Sequence, residues 1–383
     1  MKKICILTLL ILAFFVSGCS AETSDTSFIN PNSQYCLAGT VPDVYVCTKT
    51  WTSYFDAPVT LKIYLTPNDE LSLDEIFLEV GNTLKTYHEL FDKYHSYSGV
   101  TNIYSINHRT EATMQLDESL IYAIGFALEH EKEIKIEEIA LFNIALGPVL
   151  NIWHDARENV DCVDHDNYKQ CPVPSDALAD VDFPTNPDDI LLDEETNTIT
   201  FLTEGMELDL GGYGKGYVSE IISDYLDSIE ASYILNTGES NLKAGGVNPQ
   251  REDGLYYIGL REPSIESLFT SFYAYIKIPE GISVVSSGNY QRFFLGLDDN
   301  IVYHHIIDPR TNYPGGEAMS VTVFLEDGAL ADIYSTAIFL MTVSEGLDYV
   351  NSVDGLEAIW YLEDSTVRTS DNFESLYLFQ YQN

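Results

Sequence analysis

Basic residues are scarce in this chain. Lys and Arg total 19 against 60 Asp and Glu in 383 residues, a formal net charge of -41, and such a surface repels phosphate backbones at long range. A nucleic-acid partner is therefore not expected, and an anionic ligand needs a metal ion or a local cluster of donors to meet its charge. Long apolar runs are also lacking: beyond the first twenty residues none approaches the ~20 needed to span a bilayer. The six cysteines include no Cys-x-x-Cys pair, which removes the usual zinc and dithiol motifs. No fixed-period repeat is present. What the chain does have is an apolar fraction of 45% and an aromatic fraction of 12%, enough to bury a core and to exclude disorder throughout.

The chain starts as an export signal does. Lys2 and Lys3 precede an apolar run over 4–16, too short for a spanning helix, and Ser17, Gly18 and Cys19 end it. The Val16-Ser17-Gly18-Cys19 run resembles the lipobox of bacterial lipoproteins. That resemblance implies a signal peptide at residues 1–18, a lipid on Cys19, and a chain anchored to the outer side of the cell membrane. Residues 19–42, rich in Ser, Thr, Asn, Asp and Pro, read as a flexible tether. Cys36 with Cys47 and Cys162 with Cys171 form two local pairs. In an oxidising compartment each can close a short loop, although spacing alone leaves the connectivity open.

Residues 43–383 read as one domain. Alternation predicts a strand at Val59–Leu65, a helical period runs over 71–97, and a second helix is expected over 118–131. The apolar stretch 139–153 should be largely buried. Residues 154–189 are polar and proline-bearing, a surface excursion. Beyond them come a strand at 198–202, a helix at 217–226, and strands at 233–235 and 256–260. Strands and helices mix without regular alternation, which favours an α+β fold over a doubly wound parallel sheet.

Four stretches carry candidate chemistry. Leu208-Asp209-Leu210-Gly211-Gly212-Tyr213-Gly214-Lys215-Gly216-Tyr217 places four glycines around a lysine just before a helix, where backbone can approach a ligand closely; it matches neither the Walker loop nor GxGxxG. His304 and His305 are adjacent on a strand, so only one of them faces any given cleft, and that one can serve as a general base near neutral pH. Asp332 and Thr336, four apart on a helix, share a face and offer a hard cation a carboxylate and a hydroxyl. The Ser286-Ser287-Gly288-Asn289 turn after a strand offers hydroxyls and amides to a phosphate, with Arg292 as a source of charge. Taken singly, each is equally readable as a turn, a cap or a structural pair.

In this order the pieces resemble the ApbE family, the FAD:protein FMN transferases. The similarity covers 92–107, 142–153, 209–217, 236–246, 286–293, 305–314 and 332–336, nearly the whole domain. The resemblance implies a single T-fold-related α+β domain of two lobes with a cleft between them. It implies transfer of FMN from FAD to a Thr or Ser hydroxyl of an acceptor in an extracytoplasmic electron-transfer system, with AMP leaving. It further implies magnesium on Asp332, Thr336 and the carbonyl of Gly212, and His305 as the base. Tyr97 would stack on the flavin, with Lys215, Asn236 and Ser287 around the nucleotide and Glu220 toward the adenine. The chain departs from the family at Asn143, Glu220, Ser286 and Asn312, where Asp, Asp, Thr and Gly are usual, and Thr237-Gly238-Glu239-Ser240 replaces a double glycine. The rival readings are an FAD pyrophosphatase with water as acceptor, a non-catalytic FAD-binding lipoprotein, and a solute-binding lipoprotein of another kind.

Overall fold

The structure is a computed structural model that describes residues 34–67, 69–179, 181–264 and 271–382. The export signal, Cys19 and most of the tether lie outside the described residues. Among those described, no helix is long and apolar enough to cross a membrane.

A nine-stranded antiparallel sheet forms the backbone of the fold. In spatial order its strands are Cys36–Ala38, Tyr45–Trp51, Val59–Leu65, Ser232–Thr237, Asn241–Gly245, Ser283–Gly288, Ser320–Leu325, Glu357–Tyr361 and Val367–Thr369. Six helices have ten or more residues: α1 (Leu73–Phe91), α2 (Glu118–His130), α3 (Gly147–Arg157), α4 (Gly214–Ser228), α5 (Gly328–Phe339) and α6 (Val343–Ser352). The period-2 alternation of the strands divides the sheet into two faces. Leu61, Ile63 and Leu65 pack with α1 and α4, and Val285, Val321 and Val323 pack with α2 and α5. From the opposite face Tyr64, Val284, Phe324 and Ile359 meet a three-stranded sheet of Tyr256–Arg261, Phe272–Ile278 and Leu378–Tyr381. The architecture is the α+β arrangement expected, and the strand at Val59–Leu65 has the expected bounds.

Two expectations shift. The strand Cys36–Ala38 pairs with Tyr45–Trp51 and is fastened to it by a Cys36–Cys47 disulfide, so folded structure begins inside the stretch read as a tether. The polar stretch 154–189 is more than an excursion. Its strands Val163–Asp164 and Lys169–Cys171, closed by a Cys162–Cys171 disulfide, join Phe293–Gly296 and Val302–His304 in a four-stranded sheet. Eight buried residues from that sheet, α3 and the segments beside them, among them Trp153, Phe294 and Ile307, form a separate small core. The small sheet and the helix-covered face of the large one are the two walls of a cleft.

Candidate active site

The glycine-rich stretch is the first turn of α4 and the loop before it. Gly216 is glycine because α4 crosses α5 there: a Cβ would stand 2.3 Å from the Gly328 carbonyl oxygen and 2.6 Å from the Asp332 Cβ. Close helix approach, rather than ligand approach, sets this residue. It brings the Gly216 amide to donate to Asp332 Oδ2 at 2.9 Å. One turn further along α5, Thr336 Oγ1 donates to the Gly212 carbonyl at 3.3 Å. The three residues expected to hold a metal thus meet at one corner of the cleft.

Helix α5 is buried almost all round, with ten of its twelve residues inaccessible, Asp332 among them. A carboxylate is expensive in such a place. Burial raises the pKa of Asp332, offset in part by Lys215 and the Gly216 amide. Its neighbour Asn241, also buried, has an amide oxygen without a partner. Asn241 turns its Nδ2 to Asp332, so the donors left for a cation are the Asp332 carboxylate, the Thr336 hydroxyl and the Gly212 carbonyl, all oxygens with one carboxylate. Among the described residues no group of three or more His, Cys, Asp or Glu could hold a metal. This donor set fits a magnesium-like cation, which binds through one or two carboxylates and takes further oxygens from water and substrate phosphate.

Both histidines line the cleft, His304 at the end of a strand and His305 just past it, one buried and the other open. His304 is buried, its Nδ1 accepting from the Ile306 amide at 3.3 Å and its ring edge-on to Phe339. His305 opens into the cleft, and its amide donates to the Arg292 carbonyl at 3.0 Å. Desolvation within the cleft, reinforced by the cation of Arg292, pushes its pKa down to about 3, so the imidazole is neutral but a weak base until an anion bound beside it raises its basicity.

A cavity of about 750 Å³ joins these groups, within the range for a small-molecule site. Tyr97, Gly212, Lys215, Ser287, His305, Asp332 and Thr336 all line it. The Tyr97 hydroxyl donates to Asp92 at 2.7 Å, which fixes the ring. Desolvation, and then this bond to a carboxylate, drive its pKa up to about 12. Lys215 runs over Gly238, whose φ of +72° and tight contact with the lysine stem exclude a larger residue. Ser287 is held by Ser335 at 2.9 Å.

Two expected contacts are not in the cleft. Glu220 lies five residues beyond Lys215, about 140° round the helix. Its carboxylate binds Lys243 at 2.6 and 2.7 Å and accepts from the Gly328 amide at 2.7 Å. It anchors the N-terminus of α5, and no contact with an adenine follows from this position. Asn236 turns its Oδ1 to the Glu239 amide at 3.1 Å and shapes the 237–240 turn, from which Gly238 and Ser240 reach the cleft instead. The other departures are accommodated: Asn312 adopts the left-handed backbone at φ 62°, Ser286 bonds Thr322, and Asn143 stays in the cleft wall, bonded to the Ala145 amide and the Thr185 carbonyl.

Sequence reasoning missed the pair Lys93–Asp209, 2.7 Å apart inside the cleft. Burial opposes both charges, but their attraction and the Gly211 amide prevail, holding Asp209 below and Lys93 above their ordinary values. Lys93 also donates to Asn151 at 2.8 Å. Only the adjacency of Asp209 to the glycines hinted at this. The cleft wall counts four basic residues, Lys93, Arg157, Lys215 and Arg292, against four acidic ones, Asp56, Asp92, Asp209 and Asp332. Against 19 to 60 for the whole chain, this is where an anion meets least repulsion.

Fold and cleft together define an α+β protein with a cleft of small-molecule size that gathers oxygen donors and a neutral histidine. Residues 55–360 match the ApbE family, and the chain belongs to it. It is 28% identical over 314 residues to a FAD:protein FMN transferase of Klebsiella pneumoniae (strain 342), covering 81% of this chain and 88% of that protein. It is 29% identical over 243 residues to one of Treponema pallidum (strain Nichols), covering 60% and 62% of the two. Among solved structures, the ApbE protein of Thermotoga maritima superposes with a TM-score of 0.70 at 23% identity, over 86% of this chain and 99% of that one. The fold is thus the ApbE fold.

Proposed function

We propose that this chain is a FAD:protein FMN transferase that uses magnesium and a Thr or Ser hydroxyl of an extracytoplasmic acceptor protein. The observation that carries the reading is the meeting of Asp332, Thr336 and the Gly212 carbonyl in the same locally charge-balanced cleft as His305. A divalent cation on those oxygens supplies Lewis-acid polarisation of the diphosphate. Tyr97 offers an aromatic face to the isoalloxazine, worth about 1 kcal/mol beyond burial, while Lys215 and Ser287 bind the nucleotide. The acceptor oxygen forms a bond to the flavin-side phosphorus as the bond from that phosphorus to the bridging oxygen breaks. AMP leaves with the electron pair, and the hydroxyl proton passes to a ring nitrogen of His305. Holding these groups in line is the main contribution such a site makes.

Two disulfides in the fold support an oxidising compartment. With the lipobox-like run at Cys19 they support a chain anchored by lipid to the outer side of the cell membrane, where an electron-transfer acceptor would meet it. The test is incubation of the chain with FAD, magnesium and a co-expressed candidate acceptor. Covalent flavin fluorescence on the acceptor with stoichiometric AMP is expected. AMP and free FMN without labelled protein would favour water as the acceptor, and flavin binding with no AMP would reduce the chain to a carrier.

A further inference from the structure

The four cations of the cleft are not equally committed. Lys93 is locked to Asp209 and Asn151. Arg157 is shared between Glu158 at 3.3 Å and His154 at 3.3 Å. Lys215 sits beside Asp332, which feels its charge. Arg292 is the exposed one of the four: it lines the cleft and, like the half-buried Lys215, its side chain has no hydrogen bond or ion pair to any described residue. That is a peculiar place for an unpaired arginine in a chain with three acids for every base. Its backbone is nonetheless fixed. Its carbonyl accepts the His305 amide at 3.0 Å, tying the arginine to the histidine across neighbouring strands. Its charge is felt by Asp209, Lys215 and His305, residues on both walls. A planar fork of N–H donors, unclaimed by other side chains and rooted beside the histidine, suits two oxygens of a phosphoryl group.

We infer that Arg292 is a catalytic residue that grips the phosphoryl group in transit from the side opposite the Asp332 corner, so that the diphosphate lies between it and Lys215. This rests on the proposed flavin transfer and adds a second point of charge neutralisation, next to the group that takes the proton. Lys215 and Arg292 then meet the diphosphate from two walls, and the backbone link keeps the histidine in register with the phosphorus it serves.

The test follows FAD binding to the whole chain by flavin fluorescence at fixed magnesium, with inorganic pyrophosphate and riboflavin as competitors. Arg292→Gln is expected to weaken pyrophosphate competition at least about ten-fold and to slow AMP release about 10²-fold, while riboflavin competes as before. Arg292→Lys should recover part of both. Undiminished pyrophosphate competition in Arg292→Gln overturns the role. So does an equal loss for riboflavin, which marks a packing defect. A wild-type chain that binds no flavin overturns the transferase reading and this role with it, and the wild-type measurement alone distinguishes that failure from a failure of the arginine's role.

Discussion

The two walls of the cleft are built differently. The wall that carries Asp332 and Thr336 is a helix sunk in the main core of the molecule, where Glu220, Lys243 and the Asp327 cap all secure its first turn. The wall that carries His305 and Arg292 is a small four-stranded sheet over a cluster of eight buried residues, closed by a disulfide hairpin. A core so small supplies little stability alone, and small units commonly need such a staple. The contrast fits the proposed reaction, in which oxygens for a cation would have to be held rigidly.

Substitutions on each wall should therefore fail in different ways. Asp332→Ala is expected to lower magnesium-dependent AMP release at least ~10³-fold with the folded state retained in circular dichroism; unchanged release would remove the cation corner. On the opposite wall, His305→Ala should lower transfer about 10²-fold while FAD affinity stays within a few-fold, and equal losses in both would make the histidine a binding residue. Replacing Cys162 and Cys171 together by Ser should cost about 2 to 3 kcal/mol in urea unfolding and reduce transfer more than FAD binding. Were FAD binding to fall as far as transfer, the division of labour between walls would be wrong.

The smallest effect on transfer belongs to Glu131, fully buried at the end of α2 behind the cleft segment 141–146, with neither oxygen in a well-formed hydrogen bond. Burial raises its pKa to about 8, and the nearby Ile144 amide offsets only part of that rise. Because the folded state keeps a proton that the unfolded state loses above about 4.5, stability falls as pH rises from there through about 8, then levels. Relative to wild type, Glu131→Gln should gain up to about 4 kcal/mol of stability between pH 5 and pH 9, whatever constant offset its own unbonded amide imposes at both pH values. Parallel melting curves at both pH values would mean that this carboxyl is solvated.

Much of the site is legible in the sequence because its residues sit in local patterns. Asp332 and Thr336 are one helical turn apart, whereas strand alternation does not separate the histidines, because the strand ends at His304 and both line the cleft. What is not legible depends on partners distant in sequence. Glu220 is claimed by Lys243, 23 residues away, and by the start of α5, 108 residues away, and nothing local to Glu220 signals either. Lys93 finds Asp209 across 116 positions in the same way. The 154–189 stretch looks featureless because its strands are two and three residues long, below the length at which alternation can be read, and its order comes from the disulfide and from pairing with residues near 295.

The local parity of charge in the cleft has a kinetic corollary. A dinucleotide approaching from afar feels the fence of surplus carboxylates long before it feels the gate, so ions in the medium that thin the fence should quicken its arrival. For most enzymes of anions salt is a brake; for this one it should act as an escort.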